Sequence, residues 1–262
     1  MKKILQKAAN RIGVDIRRYR PPTGAPAFDA ASFDMSKEEK AIIDRARPFT
    51  MTDVARMAAL MNAVTYLAKN KIPGDIAECG VWRGGSMMVA ALTLLAHGDR
   101  SRSLYLYDTF EGMSAPTELD KNTEGVSAQQ QLDETERGEG VWCHAGLDDV
   151  RANILSTGYP ADKIHFVKGK VEDTLPGTMP VHLSLLRLDT DWYESTKQEM
   201  IHLFPKLHER GVLILDDYGH WQGARKAVDE YFLEQKLSVY LHRIDYSGRI
   251  LVGKGHPMTP DA

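Results

Sequence analysis

From Pro73 to the C-terminus the chain alternates short apolar runs with segments of helical periodicity. Strands of a parallel sheet are joined by crossover helices, and burial on both faces makes such strands almost continuously apolar. The pattern predicts strands at 75–80, 103–108, 164–168, 182–189 and 211–216 and helices at 85–97, 146–157, 192–204 and 221–235. We therefore expect an α/β fold with a Rossmann-like, doubly wound and mostly parallel sheet.

Further elements are predicted before and after this alternation. Apolar residues three or four positions apart predict a helix from Asp53 to Asn70, with Thr52 placed as its N-cap. Near the C-terminus, the stretches SVYLHRID and RILVGK are joined by a short turn at Tyr246-Ser247-Gly248 and predict an antiparallel hairpin at the sheet edge. We expect this domain to cover residues 51–262.

The first 50 residues differ in composition from the rest. Residues 1–20 carry many Lys and Arg side chains with apolar residues at near-helical spacing, and a linker rich in Pro and Gly follows. We interpret residues 1–50 as a basic N-terminal arm, a helical extension, with its linker. A solvated or subunit-packing helix is favoured over docking on a membrane surface, and we expect a homo-oligomer.

Charge and cysteine content exclude several classes of protein. The chain has 33 Lys and Arg against 36 Asp and Glu, a formal charge of -3, so no general positive field would hold a nucleic acid. Cys79 and Cys143 are too few for a disulfide framework, which favours the reducing cytoplasm. No apolar run reaches the roughly 18 residues that span a bilayer, so no integral membrane association is expected.

The first predicted strand ends in a glycine-rich loop that leads directly into a helix. The loop reads G-V-W-R-G-G-S from Gly80 to Ser86, and Glu78 comes just before it. Free N–H groups at a helix N-terminus attract a carboxylate, and Glu78 can take an ammonium group. The spacing differs from the G-x-G-x-x-G loop of dinucleotide sites, so the methionine end of S-adenosylmethionine fits better. The alternative is a tight turn whose glycines only permit close packing.

Another acid lies at the end of the next predicted strand. Asp108 follows LYLY, about 20 residues or slightly more after the glycine loop, where doubly wound folds bind ribose hydroxyls. Asp108 is therefore a candidate ribose ligand, although such a contact does not distinguish S-adenosylmethionine from NAD. The alternative is an ordinary turn aspartate.

Two later apolar strands end abruptly in acids. LLRL is followed by Asp189 and Asp191, and VLIL is followed by Asp216 and Asp217. The carboxyl ends of these strands share one edge of the sheet, so the carboxylates are expected to meet and to repel one another unless a cation neutralises them. The all-oxygen set Asp189, Asp216 and Asp217 suits Mg²⁺. The alternative, in which Asp191 caps a helix and Asp217 serves a turn, leaves the pair of acids unexplained.

A metal ion held by these acids predicts the chemistry of the site. The ion would bind neighbouring oxygens of an acceptor, lower the pKa of its hydroxyl and orient it toward the methyl group of a sulfonium. Asp191 is then the candidate for accepting the proton, and His220 is the competing base.

Several motifs together resemble the macrocin O-methyltransferase family. Its members are class I S-adenosylmethionine-dependent enzymes, and they use Mg²⁺ to methylate sugar hydroxyls in antibiotic pathways. The matching stretches are PFTMT, PGDIAECGVWRGGSM, LYDTFEGM, FVKGKVEDTLP, LRLDTDWYEST and GVLILDDYGHW. The resemblance implies Asp189, Asp216 and Asp217 as metal ligands and Asp191 as general base. It also implies a set of cofactor-binding residues, namely Met51, Thr52, Glu78, Gly80, Ser86, Asp108, Val171 and Glu172.

We therefore expect a Mg²⁺-dependent O-methyltransferase that acts on a small molecule, a sugar or glycoside of a natural product or surface glycan. An NAD-dependent sugar oxidoreductase or epimerase would share the glycine loop and Asp108 but would not need the acids at 189, 216 and 217. A catechol-type O-methyltransferase remains open, because any vicinal diol can chelate the metal. The polar stretch from Glu111 to Cys143 is long enough to be a lid or a substrate-binding element.

Overall fold

Seven strands form the central sheet in the computed structural model, which describes residues 34–135 and 142–258. They are β1 (Asp75–Cys79), β2 (Leu104–Asp108), β3 (Ile164–Lys168), β4 (Leu183–Leu188), β5 (Leu207–Leu215), β7 (His242–Arg243) and β8 (Arg249–Val252). Their order is β3-β2-β1-β4-β5-β8-β7. The first five strands are parallel, and β8 and β7 continue the sheet in antiparallel pairing. The predicted fold class is confirmed.

Helices cover both faces of this sheet. They are α1 (Lys37–Ala46), α2 (Val54–Lys69), α3 (Gly85–Ala96), α4 (Ala128–Asp133), α5 (Leu147–Leu155), α6 (Val171–Thr174), α7 (Tyr193–His202) and α8 (Gln222–Glu234). All four helices predicted between the strands are present, each within three residues of its expected bounds.

Alternate side chains of the strands supply two separate cores. Ile76 and Leu185 point into a cluster formed with α1, α2, α3 and α5. Their neighbours Ala77 and Leu186 point into a second cluster formed with α6, α7 and α8. Because both faces of each central strand are buried, most residues of these strands are apolar, which is the pattern that the sequence carries.

Three sequence predictions need correction. Helix α2 begins at Val54, so its N-cap is Asp53, whose carboxylate accepts from the N–H of Arg56 at 2.9 Å, and Thr52 instead bonds to the Thr50 hydroxyl. Strand β5 begins at 207 rather than 211 because Leu207 pairs with Leu183 and is buried.

The third correction concerns the C-terminal hairpin, which is present but shorter than SVYLHRID suggests. Only His242–Arg243 pairs with β8 across the turn. The start of that stretch belongs to β6 (Leu237–Ser238), which pairs with β9 (His256–Pro257) in a separate two-stranded sheet.

The described residues from Met35 onward belong to one compact unit. Within it, α1 starts with a capping box between Ser36 and Glu39 and buries Ile43 and Ala46 in the first core cluster. The predicted basic arm and helical extension at residues 1–33 lie outside the described residues. In the described part of the chain, every helix is too short or too polar to cross a membrane.

Candidate functional site

A crevice of about 440 Å³ opens at the carboxyl ends of β1, β4 and β5. It brings together most of the predicted site residues, namely Met51, Thr52, Gly80, Ser86, Asp108, Asp189, Asp191, Asp216, Asp217 and His220. An adjoining cavity is lined by Val171 and Glu172 and shares Gly80, Asp108 and Asp189 with the crevice. Glu78 lies beneath the crevice and is only 1% exposed.

The glycine loop adopts one conformation that its surroundings enforce. Gly80 has a φ of +79°, and a Cβ placed there would lie 1.9 Å from the carbonyl oxygen of Asp189. Asp108 holds the next turn, because its Oδ2 accepts from the N–H groups of Val81 at 2.8 Å and Trp82 at 3.1 Å. Its Oδ1 accepts from the N–H of Phe110 at 2.7 Å. The candidate ribose ligand thus also fixes the shape of the loop.

The segment that contains PFTMT crosses the start of α3 and carries Met51 and Thr52 to the crevice. A Cβ on Gly85 would lie 2.6 Å from the backbone of Phe49, so only glycine permits this crossing. Arg83 donates to the Pro48 carbonyl at 3.2 Å and thereby ties the segment to the loop. The close approach of the Phe49 backbone explains why glycine is needed at position 85.

A buried arginine links three of the acids. Arg187, 3% exposed on β4, donates through Nη1 to Glu78 Oε1 and to Asp189 Oδ2, both at 2.5 Å. Its Nη2 donates to Asp216 Oδ1, also at 2.5 Å. Burial raises the pKa of Glu78 to about 7, although Arg187 lowers it. Glu78 Oε2 is buried and has no hydrogen-bond partner among the described residues, which leaves one oxygen for a donor from a ligand.

Asp216 differs from the other acids at the strand ends because arginines occupy both of its oxygens. Besides the bond from Arg187, Arg56 on α2 donates to Asp216 Oδ2 at 2.5 Å and to Asp245 Oδ2 at 2.7 Å. Arg56 therefore connects α2 to the turn between β7 and β8. It also lines the crevice, which places a second positive charge beside the acids.

The structure groups Asp189, Asp191 and Asp217, with one carboxylate oxygen of each within 4.8 Å of the others. Burial is the largest cause that raises the pKa of all three, and repulsion from neighbouring acids adds to it. Asp191 has a φ of +67°, a strained conformation that directs its N–H toward Asp217 Oδ2 at 3.3 Å. Three convergent oxygen donors with mutual repulsion are a donor set that fits a hard divalent cation.

His220 and two aromatic residues form one wall of the crevice. The His220 ring packs edge-on against Trp221 and Tyr246, with ring centroids 4.9 and 5.9 Å away. Burial lowers the pKa of His220, and the nearby positive charge of Arg56 lowers it further. The imidazole is therefore neutral at pH 7 and has an unpaired Nδ1 among the described residues.

The stretch after β2 forms a roof segment, residues 113–135, over this wall. Helix α4 buries Ala128 and Leu132 against Trp192 and Trp221. The indole N–H of Trp192 donates to the Ser114 carbonyl at 3.0 Å. The part of the predicted lid up to residue 135 is therefore packed onto the helices that border the crevice.

One carboxylate anchors the roof segment. Asp120 is fully buried, and its Oδ1 accepts from the Tyr193 N–H at the start of α7 at 2.7 Å. Its Oδ2 accepts from the N–H of Thr117 at 2.6 Å and from the Thr117 hydroxyl at 2.9 Å. Gly223 packs so closely that an added Cβ would lie 2.0 Å from Asp120 Oδ1.

We expect Asp120→Ala to lower the free energy of unfolding by about 2 kcal/mol, because buried N–H groups would lose their acceptor. Urea denaturation measures the loss, and limited proteolysis should cut the roof segment faster than in the wild type. Asp133→Ala, which removes an exposed acid from α4, is the matched control. Equal stability of Asp120→Ala and Asp133→Ala would contradict this role for Asp120.

Sequence reasoning missed Arg56, Arg187 and Asp120. The sequence does carry a signal for Arg187, which is the lone charge in an apolar strand. Its position two residues before Asp189 puts both side chains on the same face of the sheet. Arg56 and Asp120 lack such a signal, since their partners come from segments 160 and 73 positions away.

A family model described as macrocin-O-methyltransferase (TylF) matches residues 16–251. A tetracenomycin-C rhamnosyl 4'-O-methyltransferase of Streptomyces olivaceus is 36% identical over 199 residues, 76% of this chain and 73% of that protein. Demethyldecarbamoylnovobiocin O-methyltransferase of Streptomyces niveus is 31% identical over 78% of this chain and 75% of its own length. Mycinamicin III 3''-O-methyltransferase of Micromonospora griseorubida is 31% identical over 76% of each chain.

Solved structures share the fold. The O-methyltransferase NovP superposes with a TM-score of 0.68 and 30% identity, covering 78% of this chain and 82% of NovP. The calicheamicin methyltransferase CalS11 has a TM-score of 0.54 at 18% identity and covers 88% of this chain and 99% of its own. The likeness to CalS11 concerns the fold alone.

Proposed function

Because the chain belongs to the macrocin-O-methyltransferase (TylF) family, and is thus an O-methyltransferase, we propose that it uses S-adenosylmethionine and Mg²⁺ to methylate a sugar hydroxyl. The observation that carries the proposal is the convergence of Asp189, Asp191 and Asp217 beside the glycine loop of β1. Donor and acceptor sites would then share one crevice.

The residues around the glycine loop fit the methyl donor. The unpartnered Oε2 of Glu78 can accept from the ammonium of the methionine end, and Gly80 and Ser86 line the crevice above it. Asp108 lines both cavities and is the proposed ribose ligand. Val171 and Glu172 would then lie near the adenine, and Met51 and Thr52 near the methionine end.

The acids at the ends of β4 and β5 are the proposed ligands of Mg²⁺. Asp189 and Asp217 offer oxygens to the same space, and the family resemblance adds Asp216, which the ion would share with Arg56 and Arg187. When bound, the ion would lower the pKa of the acceptor hydroxyl and hold neighbouring oxygens in place.

The remaining residues would move the proton and position the acceptor. When bound, S-adenosylmethionine would supply the methyl group to the acceptor oxygen and, with its carbon–sulfur bond broken, would leave as a neutral thioether. The hydroxyl proton would pass to the carboxylate of Asp191, which lines the crevice. His220 is the competing base, because its neutral imidazole lines the same crevice.

The proposed acceptor class is a sugar or glycoside. The names of the three relatives describe O-methylation on a rhamnosyl-tetracenomycin, a novobiocin precursor and mycinamicin III. Trp82, Trp221 and Tyr246 add aromatic surface to a crevice whose lining also includes the acids, Arg56 and apolar side chains such as Met51 and Val81. A mixed polar and aromatic lining suits a sugar ring.

Calorimetry of S-adenosylmethionine, NAD and Mg²⁺ binding tests this function. We expect the wild type to bind S-adenosylmethionine and Mg²⁺, and Asp189→Ala to lose Mg²⁺ binding while largely keeping the cofactor, because Asp189 belongs to the carboxylate group. Asp216→Ala tests the third ligand, and Asp162→Ala, an exposed acid elsewhere, is the control. Binding of NAD without S-adenosylmethionine would refute the proposed function, whereas normal Mg²⁺ binding by Asp189→Ala would refute the metal site alone.

A further inference from the structure

A second groove adjoins the crevice on the outer side of His220 and Trp221. It has a volume of about 660 Å³, against about 440 Å³ for the crevice, and both cavities are lined by these two residues. One side of the groove is residues 118–123 of the roof segment, and the other is the first half of α8. The two cavities therefore adjoin at His220 and Trp221, so an acceptor long enough to extend past these residues from the acids would reach the groove.

The two walls of this groove are fastened to each other. The N–H of Gln222 donates to the Lys121 carbonyl at 2.8 Å, and its side-chain amide donates to the Asn122 carbonyl at 2.8 Å. Buried Asp120 holds the same part of the roof segment against α7 and Gly223. The shape of the groove is thus set before any ligand binds, which lowers the entropy cost of binding.

The charges that line the groove balance. Three are acidic and three are basic, namely Glu118, Asp229, Glu230, Lys121, Arg225 and Lys226. Lys226 is paired with Glu230, and Arg225 lies 3.6 Å from Asp229. A groove with no excess positive charge does not favour a diphosphate, so a nucleotide-linked sugar is a poor occupant.

The remaining lining combines polar residues with the aromatic side chains of Tyr218 and Trp221. The guanidinium groups of Arg225 and Arg249 both lie over the Tyr218 ring, each 5.4 Å from its centroid, and the Tyr218 hydroxyl donates to Asp229 at 2.6 Å. Leu119 is the one large exposed apolar side chain among the described residues that line the groove. The paired charges, Thr123 and Gln222 offer donors and acceptors to hydroxyl groups, whereas a flat apolar aglycone would find the Tyr218 ring already covered by arginine.

We propose that this groove is a subsite for an uncharged polyhydroxylated group, such as a second sugar, attached to the sugar that is methylated. The inference rests on the proposed function and specifies its acceptor as an extended neutral glycoside. It predicts that a longer saccharide chain on one side of the methylated sugar raises kcat/KM, whereas a phosphate or an apolar aglycone in that place does not.

A panel of acceptors tests the subsite. Methyl glycosides of hexoses and 6-deoxyhexoses are compared with neutral disaccharides that end in the same sugar and with the matching nucleoside diphosphate sugars, by release of S-adenosylhomocysteine. For an accepted sugar, we expect the disaccharide to have a kcat/KM about tenfold above that of the methyl glycoside, mainly through KM.

Arg225→Ala is the variant that addresses the groove itself. Its side chain is 62% exposed, so the change should leave the fold intact, as circular dichroism would verify. We expect it to reduce the kcat/KM of the disaccharide about five- to tenfold and to leave the methyl glycoside unchanged. Arg210→Ala, at an exposed arginine outside the groove, should change neither value.

The outcomes separate this inference from the function on which it rests. Equal values for disaccharide and methyl glycoside, or preference for the nucleoside diphosphate sugar, would overturn the subsite and leave sugar O-methylation intact. Methylation of no sugar in the panel by protein that binds S-adenosylmethionine would overturn the proposed acceptor class and the subsite with it.

Discussion

Replacement of Arg187 by methionine is expected to lower the free energy of unfolding by about 3–5 kcal/mol at pH 8. Methionine fills a similar volume but removes the positive charge that faces Glu78, Asp189 and Asp216. Glu78 and Asp216 are almost fully buried, so water cannot replace the arginine as their partner. Urea denaturation followed by tryptophan fluorescence measures the loss.

The pH dependence of this loss provides a second readout. The pKa of Glu78 is about 7 in the folded protein, above its ordinary value of 4.5, because burial outweighs the effect of Arg187. A carboxyl group whose folded pKa is raised destabilises the fold above that pKa, and the penalty disappears as the pH falls toward the unfolded value. Without Arg187 the pKa rises further, so the deficit should be larger at pH 8 than at pH 5.5.

Arg187→Lys is the matched control for charge. Lysine keeps one positive charge, but a single ammonium group cannot reproduce the guanidinium bonds to three carboxylates. Its stability should therefore lie between those of the wild type and the methionine variant. A methionine variant as stable as the wild type at pH 8 would show that the arginine does not neutralise the acids.

Replacement of Gly80 by alanine should disrupt both the fold and the candidate cofactor site. The new Cβ would lie 1.9 Å from the Asp189 carbonyl oxygen and 2.7 Å from its carbonyl carbon, and neither backbone atom can move without shifting β4 against β1. The positive φ adds strain of its own. We expect a destabilisation of about 3 kcal/mol or more, measured by urea denaturation, and weaker S-adenosylmethionine binding.

Gly158→Ala separates backbone strain from the clash. Gly158 has a φ of +82°, close to that of Gly80, but a Cβ there would meet no heavy atom within 4 Å. Its replacement should cost about 1–2 kcal/mol from the left-handed conformation alone. If both variants lost the same stability, the close approach of Asp189 to the loop would not be what requires glycine at position 80.

Much of the fold could be predicted because its signals are local. The apolar strands that end in Glu78-Cys79-Gly80, Asp108, Asp189 and Asp216 show the alternation that a doubly wound sheet requires, and the structure contains each of them. The N-cap prediction was wrong because two neighbouring residues, Thr52 and Asp53, compete for the cap of α2. Local chemistry alone does not decide between two good capping residues.

The sequence alone determined that acids follow adjacent strands. The local apolar pattern shows where each strand ends, which residue comes next and at which edge of the sheet that residue lies. Tertiary structure decided which cation each acid meets. Asp216 lies between Arg187 on the neighbouring strand and Arg56 on a distant helix, while Asp189, Asp191 and Asp217 converge. The physical reason is that buried charges pair with whichever opposite charge the packed elements bring within a few ångströms, and that proximity depends on segments far apart in the chain.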